Sequence, residues 1–165
     1  MPKDRTLVIN TGPILALTAA LGDLSILDEL YDHTVVPKAV ADEIIAGGRD
    51  GFGLDAFSQA TFLDVREKKC RLDSFLSRAL DEGEAAVIQT AGDLSISRVC
   101  IDEAAGRRMA RLHGLSVTGS LGILIKSIKR GSGIDLELCI QKMRVHGVWI
   151  GEQTAQKALR MILDV

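Results

Sequence analysis

Thr6-Leu7-Val8-Ile9-Asn10-Thr11-Gly12-Pro13 decides the fold. A short apolar strand runs straight into a helix start, because proline suits a first helical turn, where its missing N–H has no partner to lose. Much later, Cys100-Ile101-Asp102-Glu103 repeats the device, with an apolar run delivering acidic side chains to a strand end. In an open α/β sheet the carboxyl ends of the strands are where ligands bind. Asn10 therefore stands where a carboxylate is expected.

Working outward, runs of strand length alternate with segments of helical period. The expected strands are Leu7–Asn10, Thr34–Val36, Thr61–Val65, Val99–Asp102 and Leu115–Thr118. Between and after them, helical patterns cover Pro13–Ala20, Leu24–Tyr31, Pro37–Ala46, Leu72–Leu80, Gly83–Ala91, Glu103–His113, Ser120–Lys129, Asp135–Val145 and Glu152–Leu163. Such alternation predicts a parallel sheet covered by helices on both faces. Gly47–Gly53, with four glycines, reads as a flexible loop; it lacks the Lys-Ser/Thr ending of a phosphate cradle. The helices over 134–165 are expected to pack on their own domain, with a homodimer contact as the alternative.

Composition narrows the function classes. A chain of 165 residues predicts one domain, residues 1–165, with a substantial core. A net charge of −2 excludes general polyanion binding, so any nucleic-acid contact must come from local basic patches. Cys70, Cys100 and Cys139 are odd in number and unpaired in spacing, which predicts reduced thiols in a cytoplasmic protein. The apolar run before Asn10 is too short for a signal peptide, and Ile14–Leu21 falls short of the ~20 residues of a membrane span. No Cys or His pair has zinc-ligand spacing.

Four positions form a candidate constellation, and each has a local alternative. Glu43 borders the apolar face set by Val36, Val40 and Ile44, whereas Asp42 points away from Val40. Glu84 follows Asp81 by three residues, a capping-box pattern that also suits the helix dipole. Asp102 and Asn10 could each cap the helix that follows. If the side chains converge instead, clustered carboxylates raise one another's pKa unless a cation neutralises them. Oxygen-only ligands suit Mg²⁺ or Mn²⁺, which can activate water for phosphodiester hydrolysis. His33, His113 and His146 have no triad partner.

The ordered set Asn10-Thr-Gly-Pro13, Val36-Pro37-x-x-Val40-x-x-Glu43, Asp81-Glu-Gly-Glu84-Ala85, Ile101-Asp102-Glu-x-x-Gly106-Arg107-Arg108-x-Ala110 and Val117-Thr118-Gly119-Ser120-Leu-Gly122 resembles the PIN domain family, in its VapC-like branch. The resemblance implies a three-layer α/β/α sandwich with a central, mostly parallel sheet of about five strands. It implies a Mg²⁺- or Mn²⁺-dependent endoribonuclease, in many relatives the toxin of a toxin–antitoxin pair. On that resemblance the catalytic, metal-binding positions are Asn10, Glu43, Glu84 and Asp102, with Glu103 as a further acid and Thr11 and Thr118 at the same rim. The departure is Asn10, an amide where the family has Asp, so a weakened or inactive binding module is the alternative.

RNA is the expected substrate. Arg107, Arg108 and Arg111 follow Asp102 on one helix, and Lys126, Lys129 and Arg130 follow Thr118-Gly119. Both groups are read as phosphate contacts against the alternative of solvated helix faces. Trp149 and Tyr31 are isolated and do not read as a stacking platform. An antitoxin, if one exists, is expected to reach the acidic edge with an Arg or Lys in place of the metal. A nucleotide-binding reading lacks any G-x-G-x-x-G or P-loop. A receiver-like reading lacks a Lys after the last strand.

Overall fold

A computed structural model describes residues 5–47 and 51–163. Five strands, β1 (Thr6–Ile9), β2 (His33–Val36), β3 (Asp64–Val65), β4 (Arg98–Cys100) and β5 (Ser116–Thr118), form one sheet in the order β3-β2-β1-β4-β5. Every pairing is parallel, with Val8 opposite Val35 on one side and Val99 on the other. Leu7, Val8, Ile9, Val35, Val36 and Val99 are fully buried. Strands covered on both faces need apolar residues throughout rather than in alternation, which explains these runs.

Helices α1 (Thr11–Leu21), α2 (Ser25–Leu30), α3 (Lys38–Gly47) and α4 (Leu54–Gln59) lie between the first three strands. Helices α5 (Ser74–Ala79) and α6 (Glu82–Asp93) precede β4, and α7 (Ala104–Leu112) joins β4 to β5. Helices α8 (Ser120–Lys129), α9 (Leu136–Val145) and α10 (Glu152–Leu163) follow β5. The strand order moves outward from β1 in one direction, then returns to its other side at β4. Right-handed crossovers running in opposite directions therefore put α1 and α6 on opposite faces. Consistently, α1 packs against α8 and α9, whereas α6 lies across β1 and β4 with α5 and α7 beside it. Helix α1 is apolar around most of its circumference because eight of its eleven residues are buried. Helix α10 buries Ala155 and Ala158, packing on α8 and α9.

Two elements differ from the sequence reading. Only Asp64–Val65 pairs as β3, because Thr61–Leu63 is a turn closed by the Leu63 N–H donating to Ala60 O at 3.1 Å. Helix α4 forms where no helix is expected, its Gly53 N-cap left-handed at φ 87°. The glycine-rich Gly47–Gly53 reading falls partly outside the described residues. No described helix is long and apolar enough to cross a membrane.

Candidate active site

The reversal of strand order between β1 and β4 opens a crevice beyond their carboxyl ends, the place where doubly wound sheets bind ligands. Asn10 and Asp102 stand there. The two strand ends are tied by the Asn10 N–H donating to Cys100 O at 3.0 Å. Helices α3 and α6, which pack on each other, bring Glu43 and Glu84 from the other side.

Capping does not account fully for Asn10, Glu84 or Asp102, whereas Glu43 is an exposed residue of its helix, as a plain surface acid would be. Asn10 occupies the N-cap of α1, yet its side chain makes no capping bond, and its buried Oδ1 has no hydrogen-bond partner. The Asp81–Glu84 capping box is half formed. Asp81 accepts from the Glu84 N–H at 2.8 Å, but the buried Glu84 Oε1 has no partner. Asp102 does not cap α7, whose N-cap is Glu103. It accepts instead from Ser120 at the start of α8, from N–H at 2.7 Å and from Oγ at 2.9 Å. Glu43 Oε2 accepts from the Thr11 hydroxyl at 2.8 Å. Asp42, half exposed, pairs with Lys38 at 2.9 Å.

Three glycines hold these oxygens in place by what they lack. A Cβ on Gly83 would stand 3.2 Å from both Asn10 Oδ1 and Glu43 Oε2, so these two oxygens share one small space. A Cβ on Gly106 would meet Ile101 Cγ2 at 2.9 Å and Glu84 Oε1 at 3.2 Å. At Gly119 it would stand 2.6 Å from Asp102 Oδ1 and 3.0 Å from Arg107 Nη1. Nothing in the sequence marks Gly83, Gly106, Gly119 or Ser120 for these roles. Their signal is only a small residue next to each motif acid, too common to stand out.

Electrostatics follow the same layout. Burial, then the charges of Asp81 and Glu103, push the Glu84 carboxyl up to about 7, against the Asp81 contact that lowers it. Desolvation also raises Asp102, opposed by its two Ser120 bonds and the Arg107 guanidinium. Arg107 itself donates from Nη1 to Ile101 O at 2.8 Å.

The basic residues divide between two places. Beyond Asp102, a groove of about 1360 Å³ opens between α7, β5, α8 and α10, and Arg107, Arg108, Arg111 and Thr118 line it. Gly106 and Ala110 are the buried residues of α7, leaving the arginines on its outer side. Lys126 is not brought to this crevice. It lies over the Tyr31 ring, 4.5 Å from its centroid, with Arg98, Arg130 and Arg5 near enough to lower its pKa together with burial. Helix α8 starts at the carboxyl edge and advances about 1.5 Å per residue, so its second turn reaches the opposite edge of the sheet. Cys70, Cys100 and Cys139 are free thiols, the latter two buried.

The donor set is all oxygen, and two of its atoms, Asn10 Oδ1 and Glu84 Oε1, are buried acceptors without donors. That chemistry fits a hard, partly hydrated divalent cation. Among the described residues, no group of three or more His, Cys, Asp or Glu side chains is placed to hold a metal ion. Comparison with curated proteins and with solved structures gave no match. Comparison with protein families matched residues 6–163 to one described as a PIN domain, a nuclease-type fold whose members generally use divalent metals. With that match spanning nearly the whole chain, the protein belongs to the PIN domain family.

Proposed function

We propose that the protein is a Mg²⁺- or Mn²⁺-dependent endoribonuclease. The observation that supports this most is the pair of orphaned oxygens, Asn10 Oδ1 and Glu84 Oε1, the first of them close to Glu43 Oε2 around Gly83. In this reading Asn10, Glu43, Glu84 and Asp102, with Glu103 beside them, hold the ion directly or through its waters. A bound ion would supply a nucleophilic water and neutralise the charge on the scissile phosphate. Ser120 fixes the Asp102 carboxylate with two hydrogen bonds, and Thr11 does the same for Glu43 with one. Arg107, Arg108 and Arg111 contact backbone phosphates, which carries no sequence preference. The family resemblance further supports a toxin held by an antitoxin, with a homodimer as the working assembly.

Asn10 favours a second reading, a PIN domain that binds RNA or a protein without cutting. An amide removes a full charge from the ion's surroundings. Losing one charge-assisted contact costs on the order of 1.5–3 kcal/mol, or roughly tenfold to a hundredfold in affinity.

Cleavage of a mixed RNA substrate with Mn²⁺ separates the readings when this chain is compared with Asn10→Asp and Asp102→Ala. Activity that disappears in Asp102→Ala establishes the nuclease. Silence in this chain with activity in Asn10→Asp establishes the binding module. Silence in all three variants removes the ribonuclease proposal.

A further inference from the structure

The groove beyond Asp102 ends at a feature that the sequence alone conceals. Trp149 is the only tryptophan, and it is 88% exposed on the groove's wall. Its indole is seated rather than loose. A Cβ on Gly151 would stand 3.2, 3.7 and 3.8 Å from ring atoms Cη2, Cζ3 and Cζ2, so the ring lies directly over the Gly151 backbone. The segment is clamped from below, with Arg144 donating from Nε and Nη2 to Ile150 O at 3.2 and 2.9 Å. One wall of the same groove carries Arg108 and Arg111, the other Lys157. None of these three has an ion-pair partner among the described residues.

We propose that this groove is a subsite for the RNA strand leaving the crevice, with Trp149 stacking on an unpaired base and Arg108, Arg111 and Lys157 meeting its phosphates. The inference rests on the ribonuclease reading and adds to it a positioning residue and a direction for the strand. A fixed aromatic face beside unpaired cations is the pairing that single-stranded nucleic acid requires, since every base has a π-face and every link a charge. Apolar floor residues such as Val117 and Leu121 suit bases as well. An apolar protein segment would leave the three cations unanswered.

The lone tryptophan makes the test direct. Its emission is followed in metal-free protein as a single-stranded oligouridine of about eight nucleotides is added, with tripolyphosphate as the control. The expected result is saturable quenching by the oligonucleotide and none by tripolyphosphate. Binding followed by anisotropy of a labelled oligonucleotide should weaken about 5- to 100-fold in Trp149→Ala and far less in Trp149→Phe. Equal quenching by tripolyphosphate overturns the stacking role. So does an emission change that follows protein concentration alone, which would mark the groove as a contact between copies. Cleavage with unchanged KM in Trp149→Ala overturns the subsite and leaves the nuclease standing. Neither binding nor cleavage, in this chain or in Asn10→Asp, removes both.

Discussion

At the scale of single residues, Glu84 gives the sharpest expectation. Its carboxyl sits at about 7 when folded against an ordinary 4.5, so the folded state holds the extra proton between those values. Stability of the metal-free protein should therefore rise as pH falls from about 7 towards 4.5, and be lowest above 7, where both states are ionised. The full effect is at most roughly 3 kcal/mol, and urea unfolding at a series of pH values measures it. Glu84→Gln should flatten this dependence and stabilise the protein at pH 8; an unchanged slope would place the titrating group elsewhere. Gly83 offers a different contrast. Alanine there favours helix α6 by up to about 1 kcal/mol, yet its Cβ would press on Asn10 Oδ1 and Glu43 Oε2. Gly83→Ala is expected to unfold at nearly the wild-type urea concentration while binding Mn²⁺ more weakly. Ser120→Ala removes the hydroxyl bond to Asp102 and keeps the backbone one. Asp102, already raised by burial, should then rise further, and Mn²⁺ affinity by calorimetry should drop about tenfold or more.

At the scale of elements, close packing governs α7. Gly106→Ala would set a methyl 2.9 Å from Ile101 Cγ2. An overpacked contact of that kind costs typically 1–3 kcal/mol, offset in part by helix propensity. A net loss of stability in urea unfolding is expected, and a gain would mean that α7 shifts freely. The same scale shows what was legible in the sequence. The buried strands β1 and β4 and the long helices α6, α8, α9 and α10 were readable because each has an unbroken apolar run or a helical period of at least ten residues' reach. Helix α4 was not, since its six residues offer too little period and follow glycines. Strand β3 was overextended because a two-residue edge strand leaves hardly any pattern. The strand-end positions of Asn10 and Asp102 were readable for the same reason as β1 and β4. The placement of Lys126 over Tyr31 is not legible, because spacing alone does not say which end of the sheet a helix residue reaches. The role of Ser120 is not legible because its partner Asp102 lies 18 residues away in the chain, nor that of Trp149, because a groove wall has no sequence signature.

At the scale of the whole molecule, α1 is the keystone: Ile14, Ala16 and Leu17 are essentially unexposed between the sheet and the helices of the last third. Leu17→Ala should cost about 2–5 kcal/mol of global stability, read by loss of helical circular dichroism in urea. Tryptophan emission would miss that transition, because Trp149 is already in water when the protein is folded. The strand order has a further consequence. The crevice lies between the first strand and the fourth, so Asn10 and Asp102 become neighbours only when β4 docks on β1. Ser120, which fixes Asp102, arrives later still. A growing polypeptide on the ribosome thus lacks the assembled crevice until well over half of it has been synthesised. The topology builds a delay into translation itself before the two sides of the crevice can meet.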